Sequence, residues 1–427
     1  MFKSFIQKRL EKYVKKYLKN HQDIKFVAVA GSVGKTTTKI AIATILSEKM
    51  RVRVHEGNHN TNLSAPLAIM GIDYPENIKS LLAWLTVFRA AKMRIKLPSD
   101  VDVIIQELGS DRIGQTAQFA KYLKPDIGVV TAVSPEHMEF FKTIDAVAQE
   151  ELMIANFSKI ALINRDDIGG EFAKYLTNSN VDTYGTNSAA EYHFIAQNFS
   201  FEKGYEGNIF APEWPAPIYA SVNILGDHSL RAAVAATAVA IKFGLSPEAI
   251  VTGLLKIHPV AGRMNILRGA DDTMIIDDTY NSSPLAAEAA LRVLYQMNTP
   301  KRIAVLGGMN ELGEVSAVEH EKIGKMCDPS QLAWVITVGD EAEKYLAPAA
   351  RARGCQVKSF KTALQAGGFV RSVLEQGAVI LFKGSEGGIY LEEAIKEVLH
   401  ATEEEKSLVR QSSEWLAKKM KFFEVNN

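Results

Sequence analysis

Along the first eighteen residues, large apolar side chains recur every three or four positions. Phe2, Phe5, Ile6, Leu10, Tyr13, Val14, Tyr17 and Leu18 make one stripe of a helix. The other face carries Lys3, Lys8, Arg9, Lys12, Lys15, Lys16 and Lys19 against the single acid Glu11. The pattern then changes. Residues 26–30 are an unbroken apolar run of strand length, followed by a glycine-rich turn and a helical pattern over 40–49. Further strands are expected at 101–108, 126–133 and 160–164, and an alanine-rich helix at 230–243. Between them, residues 182–225 alternate in short runs punctuated by Pro and Gly, which indicates a β-rich excursion. Residues 257–263 read as a hinge. Beyond it, strands are expected at 274–276, 303–306, 334–338 and 379–382 with helices between, and a charged helix from Glu403 onward. Strands alternating with helices predict an α/β fold with mostly parallel sheets. The expected division is a basic amphipathic helix over 1–22, a central domain over 23–258 and a Rossmann-like C-terminal α/β domain over 259–427.

The glycine turn carries the sharpest chemistry. Gly31-Ser32-Val33-Gly34-Lys35-Thr36-Thr37-Thr38-Lys39 lies between an expected strand and an expected helix, the context in which such a loop cradles phosphate. Backbone N–H groups at a helix N-terminus face an anion, and the helix dipole favours negative charge there. Gly31 and Gly34 would let the backbone approach without a Cβ in the way. Lys35 would pair with the β- and γ-phosphates of ATP, and the Thr36 hydroxyl would face Mg²⁺. The central domain is therefore expected to be a P-loop-type ATP-binding domain. Glu107, at the end of the 101–108 strand, is a candidate second Mg²⁺ ligand.

Composition narrows the picture. Over 427 residues, 49 Lys and Arg balance 49 Asp and Glu, so no overall basic field recruits nucleic acid. Two cysteines, Cys327 and Cys355, fit a reducing cytoplasm and exclude a four-cysteine zinc site. The charged N-terminus has no secretory apolar core, and no apolar run is long enough to span a bilayer. The basic helix has two readings: it lies on an anionic membrane surface, or it docks on the globular body with its charged face in water. A second apolar-to-basic segment, Leu81, Leu82, Trp84, Leu85, Val87 and Phe88 leading into Arg89, Lys92, Arg94 and Lys96, tilts the expectation toward peripheral contact with the inner membrane face.

The shortened G-x-x-G-K-T-T loop resembles that of the Mur ligase family, ATP-dependent enzymes that join a carboxylate to an amine. Other motifs extend the resemblance, several of them toward its D-alanyl-D-alanine-adding branch. They are Gly57-Asn58-His59-Asn60-Thr61, Asp277-Asp278-Thr279-Tyr280-Asn281-Ser282-Ser283-Pro284, Gly307-Gly308-Met309-Asn310-Glu311-Leu312-Gly313 and Lys383-Gly384-Ser385. Asn164-Arg165-Asp166-Asp167 is similar to the segment after the family's central strand, and Gly226-Asp227-His228-Ser229 to its adenine-side segment. Here Ser229 and Ala232 stand where the family has asparagines, and Glu386 stands where it has arginine.

The resemblance implies roles. ATP would meet Gly31, Ser32, Val33, Gly34, Lys35, Thr36, Thr37, His228, Arg263 and Asp278. One Mg²⁺ would sit on Thr36 and Glu107, and His137 of Ser134-Pro135-Glu136-His137 would hold a second. Glu151 stands where relatives carry a carbamylated lysine; it either supplies the missing carboxylate to that second site or leaves the site weakened. Asn60, Asn281 and Lys383 would lie near substrate. With Lys35, Glu107 and His137 as the catalytic set, the implied reaction phosphorylates a carboxylate and lets an amine displace the phosphate in cell-wall precursor synthesis. Only thirty residues precede Gly31, so the family's sugar-nucleotide domain is expected to be lacking. That leaves a polyglutamate-type or lipid-linked acceptor, or an inactive ATP-binding partner subunit, as alternatives.

Overall fold

The structure, a computed structural model, describes residues 2–55, 57, 59–75 and 77–426. It divides into two compact units. The first holds residues 1–134 and 143–258, the second residues 135–142 and 259–427.

The first unit is built on a nine-stranded sheet. In chain order its strands are β1 (Lys25–Ala30), β2 (Val52–Val54), β3 (Val103–Glu107), β4 (Ile127–Val130), β5 (Ile160–Asn164), β6 (Val181–Gly185), β7 (Tyr192–Ser200), β8 (Gly204–Phe210) and β9 (Ile218–Val222). The spatial order is β2-β3-β1-β4-β5-β6-β7-β8-β9, parallel as far as β7 and antiparallel through β8 and β9. The β-rich excursion is thus the antiparallel end of the same sheet. Helices Lys35–Leu46 and Asp227–Lys242 pack together over it, burying Ile42, Ile45, Leu46, Leu230, Val234 and Val239. β1 lies between β3 and β4, so connections leave it in opposite directions. Such a switch point opens a crevice at the carboxyl ends of the strands.

The N-terminal helix, Phe2–Asn20, docks on this unit. Ile6, Leu10, Tyr13, Val14 and Tyr17 are buried, largely against the helix Leu81–Lys96. Tyr13 meets Phe88 with ring centroids 5.9 Å apart, and His21 Nε2 lies 2.8 Å from the Leu97 carbonyl. Most of the stripe is therefore a packing face. Each such side chain is worth roughly 1.5–3 kcal/mol when fully buried.

The second unit has a six-stranded sheet of β10 (Asn265–Arg268), β11 (Met274–Asp278), β12 (Arg302–Gly307), β13 (Trp334–Val338), β14 (Val357–Phe360) and β15 (Val379–Lys383). The order is β10-β11-β15-β12-β13-β14, with only β10 antiparallel. β11, β15 and β12 are neighbours, which brings three of the sequence motifs to the carboxyl ends of adjacent strands. The tail differs from expectation. A short turn, Thr402–Ser407, precedes the terminal helix Ser413–Asn426. Between them Arg410 adopts φ 56°, a left-handed conformation that no helix tolerates.

Candidate active site

At the end of β1 the chain turns through Gly31 (φ 128°) and Gly34 (φ 85°) into the helix Lys35–Leu46. A Cβ on Gly31 would lie 2.2 Å from Thr131 Oγ1, so only glycine fits. The loop is braced from the segment after β4. Thr131 Oγ1 donates to the Val33 carbonyl at 2.6 Å, Ser32 N–H donates to the Ala132 carbonyl at 3.0 Å, and Ser134 N–H donates to Ser32 Oγ at 3.0 Å. Thr131 is held in turn. Asn164 Nδ2 donates to its carbonyl at 2.6 Å and to Asp167 Oδ2 at 2.9 Å, and Arg231 bridges Asp166 and Asp167. The Asn164–Asp167 segment is thus a brace for the loop.

Val33, Gly34, Lys35 and Thr37 are half-buried, while Gly31, Ser32 and Thr36 are buried. Lys35 folds back, its ammonium donating to the carbonyls of Gly31 and Ser32. Thr36 Oγ1 donates to Glu107 Oε2 at 2.9 Å, and Asn60 Nδ2 donates to Glu107 Oε1 at 3.0 Å. Lys39 Nζ, also buried, lies 3.4 Å from Glu107 Oε2 and donates to the Gly57 carbonyl at 3.2 Å. A Thr hydroxyl beside a carboxylate is an oxygen donor set that suits Mg²⁺ shared with nucleotide phosphates. Asn58, expected in the same loop, lies outside the described residues.

Glu151 is engaged with the phosphate loop. On the helix Ile144–Phe157 it is buried, and its Oε2 accepts the Gly31 N–H at 2.6 Å. Its neighbour Glu150 accepts from Ser110 Oγ, Gly114 N–H and Thr116 N–H, securing the start of the helix Gln115–Ala120. His137, expected beside Glu151 at a second metal, belongs to the second unit. Its Nδ1 pairs with Glu311, its Nε2 lies 3.8 Å from Glu136, and both His137 and Glu311 have positive φ. Among the described residues, no three His, Cys, Asp or Glu side chains converge to hold a metal. His228 stands half-buried in the first turn of the helix Asp227–Lys242, with Ser229 and Ala232 buried on the same helix.

In the second unit, Lys383 Nζ lies 2.8 Å from Asp278 Oδ2 and donates to the Asn281 carbonyl at 2.7 Å. β11 and β15 pair in register at these two residues. Thus Asp278 and Lys383, expected on ribose and amine respectively, form one buried pair, and the Asn281 side chain is left exposed beside it. Asp277 accepts from Gly262 N–H, Thr279 N–H and Thr279 Oγ1. Complete burial pushes its carboxyl up to about 6 despite those donors. Ser385 Oγ donates to the Ser282 carbonyl and accepts from Asn310 N–H, tying the three motifs together. Arg263 lies 4.2 Å over the Tyr280 ring.

Sequence reasoning missed Lys39, Thr131 and Arg410. Lys39 sits one helical turn beyond Lys35, a spacing that places both on one face and could have marked it. Arg410 gives no local signal. It clasps Glu392 and donates to the carbonyls of Thr279 and Tyr280, residues 131 and 130 positions away.

Comparison with known proteins adds two domain matches. Residues 29–240 match the Mur ligase middle domain, and residues 262–386 match the Mur ligase glutamate ligase domain. The UDP-N-acetylmuramoyl-tripeptide–D-alanyl-D-alanine ligase of Bacillus subtilis is 28% identical over 406 residues, covering 92% of this chain and 79% of that protein. The enzyme of the same name from Escherichia coli is 26% identical, covering 74% of this chain and 65% of that protein. Two solved structures share the fold. MurF from Acinetobacter baumannii has a TM-score of 0.76 at 24% identity, over 91% of this chain and 79% of that one. MurF from Thermotoga maritima, in complex with ADP, has a TM-score of 0.73 at 24% identity, over 95% and 85%.

Proposed function

Because the chain belongs to the Mur ligase family and is an ATP-dependent ligase that forms carbon–nitrogen bonds, we propose that it joins a D-alanyl-D-alanine-like dipeptide amine to the carboxylate of a UDP-muramoyl-tripeptide-like precursor. The observation that carries this reading is the Thr36–Glu107 contact at 2.9 Å beneath the Gly31–Lys35 loop. The motif cluster at β11, β15 and β12 favours the dipeptide-adding branch over the polyglutamate-type alternative. The cytoplasm, where ATP and soluble precursors meet, is the compartment this reading requires.

Lys35 would leave the Gly31 and Ser32 carbonyls to meet the β- and γ-phosphates, and the loop N–H groups would orient them. Thr36 and Glu107 would hold Mg²⁺, which when bound neutralises charge on the phosphates. A carboxylate oxygen of the acceptor attacks the γ-phosphorus and ADP leaves. The amine then attacks the acyl carbon, phosphate departs with that oxygen, and the amine loses a proton. Positioning and charge neutralisation supply most of the catalysis in phosphoryl transfer. By resemblance, Arg263 and Asp278 are assigned to the nucleotide, Asn60, Asn281 and Lys383 to substrate, and His137 to a second metal.

The test is a comparison of amines. With ATP, Mg²⁺ and the UDP-muramoyl-tripeptide, D-alanyl-D-alanine gives a product heavier by one dipeptide residue pair, whereas glutamate gives none. Product with glutamate alone, or with neither amine, rejects the proposed substrate class.

A further inference from the structure

The docked N-terminal helix leaves a surface that the ligase reading does not use. Helices Phe2–Asn20 and Leu81–Lys96 run side by side in the same direction. Arg9 lies 4.9 Å from the Phe88 ring, Tyr13 meets Phe88, and further on Asn20 Nδ2 reaches the Ile95 carbonyl at 3.1 Å. Their N-terminal ends are therefore adjacent. Packing consumes Ile6, Leu10, Tyr13, Trp84, Val87 and Phe88. It leaves Phe2, Phe5, Ile78, Leu81, Leu82 and Leu85 exposed by 42–76%. Arg9 lies over the Phe5 ring as well, at 5.7 Å, linking the two ends of the patch. Scattered exposed apolar residues are ordinary, but six large ones at one pair of helix ends are not.

Charge identifies the occupant. The first helix carries seven basic residues against Glu11 alone, whose carboxylate accepts from Gln7. Residues 77–97 carry Lys79, Arg89, Lys92, Arg94 and Lys96 with no acid. Lys3, Lys8, Lys12, Lys79, Arg89 and Lys92 are exposed on the same two segments as the apolar ends. A chain of zero net charge has thus concentrated twelve cations and one acid on two neighbouring elements. Exposed apolar tips on two elements rich in Lys and Arg fit a bilayer bearing anionic headgroups, with the leucines and phenylalanines at the acyl boundary and the cations among the phosphates. No described helix is long and apolar enough to cross a membrane, so the contact is one of lying on the surface.

We infer that Phe2, Phe5, Leu81, Leu82 and Leu85, with the surrounding lysines and arginines, form a docking surface for an anionic lipid bilayer. The inference is independent of the ligase chemistry. The test is sedimentation of the full chain with sucrose-loaded vesicles of phosphatidylcholine alone or with about one-third phosphatidylglycerol, in about 0.1 M salt. Anionic vesicles are expected to retain the protein at least about tenfold better than neutral ones, and about 0.5 M salt to weaken retention. Leu82→Glu with Leu85→Glu should reduce retention about tenfold, and so should Arg89→Glu with Lys92→Glu. Both double variants should keep the wild-type melting temperature and turnover in vesicle-free solution. A third variant, Leu82→Trp, should show a blue-shifted emission only with anionic vesicles. Equal retention on neutral vesicles, or undiminished retention of folded double variants, overturns the inference. A dimer in sedimentation velocity that the leucine variants dissociate, without anionic-vesicle binding by the wild type, also overturns it and assigns the surface to a second copy.

Discussion

The carboxylate of Glu151 accepts the backbone N–H of Gly31 at 2.6 Å, across 120 positions of sequence. A buried acid therefore holds the first residue of the phosphate loop, at a position where the sequence left open a metal-site carboxylate or a weakened second site. Glu151→Ala would leave that N–H buried and unsatisfied, at a cost of about 1–3 kcal/mol in urea unfolding. Glu151→Gln keeps an acceptor oxygen and should lose less than half as much. Under this role the Mg²⁺ concentration for half-maximal turnover is the same in Glu151→Gln as in the wild type. A shift of tenfold or more would return Glu151 to the metal.

Lys35 and Gly31 should separate binding from folding. Lys35 is half-buried and donates to the Gly31 and Ser32 carbonyls, so Lys35→Ala should abolish ATP binding in calorimetry while the variant still unfolds in a single cooperative transition. Gly31→Ala forces a Cβ against Thr131 Oγ1 and the Ala132 backbone at a φ that disfavours alanine. It should lose ATP binding and also melt several degrees lower.

Asp277 gives a pH signature. Its folded carboxyl is raised to about 6, chiefly by burial, from an ordinary value of 3.8. The folded state therefore holds more protons than the unfolded state between those values. The stability this group contributes is fully present below about pH 4 and is lost as pH rises through 6, by roughly 3 kcal/mol. Asp277→Asn removes that dependence. The difference in unfolding free energy between wild type and variant should move in favour of the variant from pH 4.5 to pH 7; a flat difference contradicts it.

Arg410 is expected to anchor the loop after β11. It pairs in two bonds with the fully buried Glu392 and caps the carbonyls of Thr279 and Tyr280. Arg410→Met leaves Glu392 with less of its cation and should cost about 3–5 kcal/mol. Arg410→Met with Glu392→Leu should recover a large part of it, read by denaturant unfolding.

How much of this was legible depended on sequence distance. The β1–loop–helix unit could be read because an apolar run, two glycines, a lysine and a threonine are contiguous, and the steric reason for Gly31 follows from that turn. β11 and β15 could be read because each opens on a continuous apolar run, residues 274–276 and 379–382, that is mostly buried. β14 could not: Val357–Phe360 is a part-exposed edge strand with a lysine in the middle, so its pattern is weak. The terminal helix begins only at Ser413, and the left-handed Arg410 just before it gives no signal in the local sequence, since two of its contacts are carbonyls 130 and 131 positions away. For Glu151 the sequence left two readings open, a carboxylate supplied to the second metal site or a weakened site. Its residue type was read correctly as an anion, but the choice between metal and backbone N–H lies in the packing of the helix Ile144–Phe157 beside β1 and β4. The N-terminal stripe was legible as a helix, and only the fold shows which of its apolar residues are covered.

The most direct measurement of the central claim follows oxygen. Acceptor labelled with ¹⁸O in its reacting carboxylate is incubated with ATP, Mg²⁺ and the amine, and the released phosphate is analysed by mass spectrometry. Transfer of the γ-phosphoryl group to the carboxylate predicts one ¹⁸O in each phosphate released, in equal amount to the amide product. Unlabelled phosphate, or phosphate released without amide, would contradict it.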